Sequence, residues 1–238
     1  MTSLPGGNSG GLHNEAAGII TVWSDIGCPW ATLALHTLHV RAAHRGQTVL
    51  VDHRAFPVEL FNGRPTPKVI LDMEIVAIAG RRPDLGWQMW TGPESTYPVT
   101  MLPAMEAVQA AKAPHVGGLL ASDQLDTALR RAFYVEGRCI SVHSEILDVA
   151  AGGTDVDVAA LAEALALGSG RREVYEQWAV ARGPEVQGSP HVFTTDGYAC
   201  HNPGVSYHWT AKPPQGFPFL DAYDEEWAES LLDQLSTG

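Results

Sequence analysis

The chain has 238 residues, and its 27 acidic and 15 basic side chains give a formal net charge of −12. This acidic balance argues against a nucleic-acid-binding surface and against binding to an anionic membrane. No apolar run approaches the roughly 18 residues that a membrane span needs, and three cysteines are too few for a disulfide framework. The composition therefore predicts a protein of a reducing compartment, which we take to be the cytoplasm.

The first part of the chain predicts a βαβ unit behind a flexible leader. Residues 1–18 are the predicted leader, because the start is rich in Gly, Ser, Asn and Pro and lacks the apolar region of a signal peptide. Strands are predicted at residues 19–24 and 48–56. Between them, apolar residues repeat at helical spacing from Pro29 to a stop at Gly46. We expect the two strands to be parallel, with a right-handed crossover.

The middle of the chain, residues 66–170, carries helical patterns and few strand patterns. Four helical repeats are predicted, before Gly80, before Pro114, over residues 119–136 and over residues 157–167. This segment is therefore predicted to be an inserted helical subdomain.

The α/β core is predicted to comprise residues 19–65 and 171–238, on either side of the insertion. Its second half shows a helix ending at Gly183, a strand from His191, a turn, a partner strand and a last helix. The turn is predicted at Asp196-Gly197, a pair that is typical of β-hairpins. The partner strand is predicted at residues 198–201, and the last helix at residues 224–235.

Cys28 lies where the first strand ends and the first helix begins. Pro29 suits the first helical position, where its missing N–H would be unpaired in any case. A thiol just ahead of it lies at the positive end of the helix macrodipole, which favours the thiolate. We therefore expect a reactive cysteine, the alternative being a small buried apolar side chain. Trp30, beside the thiol, is a candidate to cover an apolar partner.

A second candidate feature is the pair Ser189-Pro190, directly before the strand that begins at His191. Proline is tolerated at the first position of a strand. If the bond is cis, the preceding carbonyl and N–H are exposed to an incoming extended peptide. The alternative is an ordinary turn proline.

These two segments together resemble the DsbA family of thioredoxin-fold oxidoreductases, and within it the FrnE-like branch. Residues 24–30 read Ser-Asp-Ile-Gly-Cys-Pro-Trp and match that branch's Ser-Asp-x-x-Cys-Pro-Trp, and residues 188–193 are similar to its cis-proline strand entry. Residues 54–60 and 129–137 are similar to its second strand and to a helix of its insertion. The resemblance implies an α/β, thioredoxin-like fold with an inserted helical subdomain.

One position departs from this family pattern. The family carries Cys-Pro-Trp-Cys, and Ala31 stands here in place of the second cysteine. The resemblance then implies a thiol-disulfide oxidoreductase with a single active-site cysteine, whose mixed disulfide is resolved by an external thiol such as glutathione or by Cys139 or Cys200. In this interpretation Cys28 and Pro190 are catalytic, while Pro29, Trp30 and Ser189 contact the substrate.

The predicted substrate is a disulfide-containing protein or a small thiol, with no bound cofactor and glutathione as a co-substrate. The sequence does not decide whether the protein forms a homodimer. His36 and His39 share one helix, but without a third ligand they more often solvate a helix surface, so no metal is expected.

Two other functions remain open from the sequence. One is a glutathione-dependent isomerase or transferase of the kappa-class or hydroxychromene carboxylate isomerase type, in which a serine at the helix start stabilises the glutathione thiolate. The other is a non-catalytic binding module on the same fold.

Overall fold

The structure is a computed structural model that describes residues 11–237. Residues 1–10 of the predicted leader lie outside the described residues. The helices and strands follow one another in this order: β1 (Ile19–Ser24), α1 (Pro29–His44), β2 (Leu50–Ala55), α2 (Val58–Asn62), α3 (Lys68–Ala79), α4 (Leu102–Ala111), α5 (Gly118–Tyr134), α6 (His143–Ala151), α7 (Val158–Leu167), α8 (Ser169–Ala181), β3 (His191–Phe193), β4 (Ala199–His201), β5 (Val205–Trp209), β6 (Pro218–Tyr223) and α9 (Glu226–Thr237).

A four-stranded sheet, in the order β2-β1-β3-β4, forms the centre of the α/β core. β1 and β2 are parallel, with Val22 opposite His53, which confirms the predicted βαβ unit. β3 runs antiparallel to β1 and places Val192 opposite Val22. β3 and β4 form the hairpin predicted from Asp196-Gly197, with Gly197 at a φ of 88°.

Helices cover both faces of this sheet. Val22 packs with α1 and α9 in one apolar cluster, while its neighbour Trp23 packs with Ala181 of α8 in another. Successive side chains of a strand point to opposite faces, so α1 and α9 lie on one side of the sheet and the end of α8 on the other. β1 and β2 are therefore buried on both faces, and the polar residues Asp52, His53 and Arg54 of β2 are buried with them.

The inserted segment is helical, and its apolar core continues into the α/β core through Ile26 and Ala55. Buried side chains such as Val108, Leu125, Ile146 and Leu161 bring α4 to α7 together. α8 contacts both α4 and β2, so it connects the helical part to the sheet. None of the helices in the described part of the chain is long and apolar enough to cross a membrane.

The structure contains a second, two-stranded sheet that the sequence analysis missed. β5 and β6 pair antiparallel. In sequence they lie between β4 and α9, where no strand was predicted. The short helices α2 and α6 were also not predicted. The part of the predicted leader that the structure describes, residues 11–18, is held against β1. Trp23 Nε1 donates a hydrogen bond to the Leu12 carbonyl (2.7 Å).

A buried ionic chain links three elements on the α1 side of the core. The Asp123 carboxylate on α5 binds His39 of α1 (3.0 Å) and His53 of β2 (2.7 Å). Burial alone would lower the pKa of His39, but the hydrogen bond to Asp123 outweighs it and raises that pKa. His39 therefore serves as an ion-pair partner here, away from the predicted site.

We expect a His39→Gln variant to lose about 1 kcal/mol of unfolding free energy at pH 5.5 and much less at pH 8.5. A raised folded-state pKa stabilises the protein fully below the unfolded value of about 6.5, and this contribution disappears as the pH rises through the folded value. Urea unfolding at the two pH values measures the difference. His36→Gln is the control, because burial lowers the pKa of His36 and its contribution has the opposite pH dependence. Equal losses for His39→Gln at both pH values would contradict the ion pair.

Candidate active site

The turn between β1 and α1 holds Cys28 at the start of the helix. Cys28 occupies the N-cap position with extended backbone (φ −89°, ψ 113°), and Pro29 is the first helical residue, as predicted. The Cys28 N–H donates to the Asp25 carbonyl (3.1 Å). The Asp25 carboxylate accepts from the Gly27 N–H (2.7 Å) and from the Val58 N–H (2.8 Å). Asp25 therefore fixes this turn and ties it to the start of α2.

The Ser189-Pro190 segment contacts this turn, although Ser189 lies 161 residues after Cys28 in the sequence. The Ser189–Pro190 peptide bond is cis. The Cys28 thiol donates to the Ser189 carbonyl with an Sγ–O distance of 3.2 Å, and the Ser189 hydroxyl accepts from the Asp25 N–H (2.9 Å). The structure thus brings Cys28, Pro29, Trp30, Ser189 and Pro190 together, while their roles in binding and catalysis stay predictions.

Cys28 lies in a cavity of about 480 Å³, which is the size of a small-molecule site. Cys28, Pro29 and Trp30 line one side of it, and Ile70 and Glu74 of α3 line another. Ser189 and Pro190 are not among the residues that line it. The cavity therefore extends from the thiol toward the inserted helices.

The β5–β6 hairpin covers the cavity. Tyr207 stacks on Trp30 with ring centroids 4.4 Å apart, and Trp209 lines the cavity beside it. Trp30 is only 4% exposed, and its Nε1 donates to the Glu74 carboxylate (3.2 Å). Trp30 thus packs against the protein's own hairpin, in addition to lining the cavity. The alternation of Val205, Tyr207 and Trp209 is the sequence signal that could have revealed this strand.

The prediction that the protein favours the Cys28 thiolate is wrong. Burial raises the pKa of Cys28 to about 11, a side-chain hydrogen bond with Ser189 opposes this increase, and the charges of Glu74 and Asp25 add to it. The helix start does supply a favourable backbone contact from Ala31, but removal of the sulfur from water outweighs it. Cys28 is therefore a protonated thiol at neutral pH.

Asp25, Glu59 and Glu74 place three carboxyl groups in the cavity with this thiol. Burial raises the pKa of Asp25 to about 6, against the hydrogen bonds from Gly27 and Val58. Burial also raises the pKa of Glu74 to about 7, against the hydrogen bond from Trp30. Asp25 and Glu74 therefore change protonation close to neutral pH and can accept and return a proton, while each remains several pH units more acidic than the Cys28 thiol.

The other cysteines lie apart from this cavity. Cys139 lies between α5 and α6, Cys200 lies in β4, and neither lines the cavity with Cys28. All three cysteines are free thiols. Ala31 is fully buried in the first turn of α1. Among residues 11–237, no group of three His, Cys, Asp or Glu side chains is arranged to hold a metal ion.

Comparison with solved structures identifies the architecture. A probable DsbA oxidoreductase from Streptomyces coelicolor matches with a TM-score of 0.59 and 16% sequence identity, over 92% of this chain and 90% of that one. The fold is that of the DsbA-like proteins. The cytosolic disulfide reductase DsbM from Pseudomonas aeruginosa matches with a TM-score of 0.52 and 16% identity, over 92% of this chain and 100% of that one.

A third structure, 2-hydroxychromene-2-carboxylate isomerase, matches with a TM-score of 0.52 and 16% identity, over 76% of this chain and 88% of that one. These matches confirm the predicted thioredoxin-like α/β fold class. No family model matches the sequence, and no curated protein matches it.

We expect the rate of Cys28 alkylation by iodoacetamide to rise about tenfold per pH unit from pH 7 to pH 10, because only the thiolate reacts. An ordinary thiol with a pKa near 8.5 would level off about 2.5 pH units earlier, at about pH 9.5. The measurement uses a Cys139→Ser/Cys200→Ser background, with circular dichroism to show that the fold persists at each pH. A plateau reached by about pH 9.5 would show that the sulfur is not desolvated.

Proposed function

We propose that the protein is a thiol-disulfide oxidoreductase that acts through Cys28 alone on small disulfides. The observation that carries this proposal is the half-open cavity, in which Cys28 is the one cysteine among the described lining residues. The Ser24–Trp30 segment further supports membership of the FrnE-like branch. The likeness to DsbM, a cytosolic disulfide reductase, supports a reducing role in the cytoplasm.

The proposed reaction is a two-step exchange. The Cys28 thiol loses its proton to a carboxylate of the cavity, and its sulfur attacks one sulfur of the substrate disulfide. That S–S bond breaks, one substrate thiol leaves with a proton, and a mixed disulfide remains on Cys28. An external thiolate then attacks the substrate-side sulfur of the mixed disulfide. This step releases Cys28 and forms a new disulfide, so the exchange needs no further oxidant or reductant.

The cavity favours small substrates over a folded protein. The stacked rings of Tyr207 and Trp30 line it beside the thiol and narrow the space that a substrate can occupy there. Arg64 and Lys212 line the cavity at exposed positions, and neither binds a carboxylate in the described part of the chain. Two cations near a thiol suit a small anionic thiol, and glutathione is the co-substrate that we propose.

A second candidate function is a glutathione-dependent isomerase or transferase. The protonated state of Cys28 favours it, since such a thiol resembles the neutral serine hydroxyl of those enzymes more than a reactive thiolate does. The likeness to 2-hydroxychromene-2-carboxylate isomerase is consistent with it. This alternative requires glutathione to bind without forming a disulfide to Cys28.

The test is exposure of the protein to oxidised glutathione, followed by peptide mass spectrometry at Cys28, Cys139 and Cys200. We expect one glutathione adduct, confined to Cys28, that reduced glutathione removes. Cys28→Ser should abolish adduct formation at the cavity and exchange with a small disulfide, whereas Cys200→Ser should leave both within twofold of the wild type.

The other outcomes separate the alternatives. Tight glutathione binding without an adduct would replace the proposal by the isomerase or transferase function. Absence of both binding and exchange would leave the non-catalytic module. A Cys28–Cys200 disulfide would replace the single-thiol mechanism by a dithiol one.

A further inference from the structure

Arg130 is a charged residue on the buried face of α5. Its residue exposure is 3%, and it lies between Leu129 and Ala132, which belong to the apolar core of the insertion. Removing a guanidinium from water is unfavourable unless partners satisfy its donors. The identity of those partners therefore indicates why the protein keeps a cation at this position.

The partners of Arg130 belong to the turn that carries Cys28. Its Nη1 donates to the Asp25 carbonyl (3.1 Å) and to Thr32 Oγ1 (2.9 Å), and it lies 3.5 Å from the Ile26 carbonyl. Its Nη2 donates to Ser24 Oγ (2.9 Å). These residues flank Cys28 on both sides in sequence. The planar guanidinium thus binds the end of β1, the turn and the first turn of α1 at the same time.

A single carboxylate balances this cation. Asp126, one helical turn earlier, accepts from Arg130 Nε (2.5 Å) and from Nη2 (3.2 Å), and its oxygen lies 3.6 Å from His53 Nδ1. Burial opposes the positive charge of Arg130, but Asp126 outweighs it and, with smaller contributions from the ionised forms of Tyr134 and Cys28, raises the pKa of Arg130. Arg130 donates to the Asp25 carbonyl, and the Cys28 N–H donates to the same carbonyl. The guanidinium charge therefore lies close to Cys28 in the protein interior, where screening by salt is weak.

We propose that Arg130 is the positioning residue of Cys28, which fixes the turn beneath the sulfur and supplies the buried positive charge that makes the thiolate accessible. This role rests on the proposed function, because a thiolate is needed only if Cys28 reacts. Asp126 has the opposite effect, since it neutralises part of the charge that Arg130 offers to the sulfur.

The two residues therefore predict changes of opposite sign in the reactivity of Cys28. In the Cys139→Ser/Cys200→Ser background, Arg130→Met should slow alkylation of Cys28 at pH 8.5 about tenfold, the change that one pKa unit produces. Asp126→Asn, which keeps an oxygen acceptor for Arg130, should speed it several-fold. Arg130→Lys, which keeps the charge but not the planar fork, should stay within about threefold of the wild type.

Arg131, on the same helix, and Glu136, just after its end, provide the matched control. Their ion pair (3.0 Å) is exposed, so Arg131→Met and Glu136→Gln should each leave the rate within twofold. Loosening of the turn alone would expose the sulfur and change the rate in the same direction for Arg130→Met and Asp126→Asn, and that result would overturn the proposal. If Arg130→Met does not fold, the Asp126→Asn variant decides alone: an unchanged rate of Cys28 alkylation in that folded variant would also overturn the proposal.

The alkylation rate measures the fraction of Cys28 that is ionised, and the assay needs no disulfide substrate. If wild-type Cys28 forms no glutathione adduct, the proposed function fails whatever the alkylation rates of the variants. If the adduct forms but the two variants change the rate in the same direction, only the role of Arg130 fails.

Discussion

The desolvation of the half-buried Cys28 is the constraint on which the chemistry of this site depends. A pKa of about 11 makes ionisation at neutral pH cost about 3 kcal/mol more than for an ordinary thiol. The helix start lowers this cost without cancelling it, and the nearby carboxylates increase it. Any reaction of Cys28 therefore needs a proton acceptor and a positive charge nearby. Glu74 lines the cavity with Cys28, and Arg130 binds the turn that carries Cys28 from the protein interior.

Burial of the sulfur and coverage of the cavity have a common structural origin. The β5–β6 hairpin places Tyr207 on Trp30, and α3 places Glu74 against the same indole. Both elements lie outside the βαβ unit that carries Cys28. The unit supplies the nucleophile, while the hairpin and the insertion determine how much water reaches it and how large a substrate the cavity admits.

This division explains which features could be predicted from the sequence. The Cys28 turn, its proline at the first helical position and the parallel strand pair arise from local patterns, so they were predicted. The prediction of a Cys28 thiolate was wrong because burial dominates the pKa of Cys28, and the residues that pack against it, such as Ile78 and Leu220, are distant in sequence. Arg130 was missed as a site residue because its helical position is indistinguishable from a core position. The β5 alternation was readable, but residues after the second hairpin strand were interpreted as loop polar groups.

Ala31 and the cavity beside Cys28 are mutually consistent in the proposed reaction. A second cysteine at this fully buried position would resolve the mixed disulfide from inside the helix. With alanine there, the resolving thiol has to enter the half-open cavity of about 480 Å³ that already holds the substrate half bound to Cys28. A small substrate half leaves the opening of the cavity accessible to the second thiol, whereas a folded protein attached to Cys28 would obstruct it. The alanine at position 31 and the size of the cavity therefore favour the same substrate class, small disulfides that exchange one half at a time.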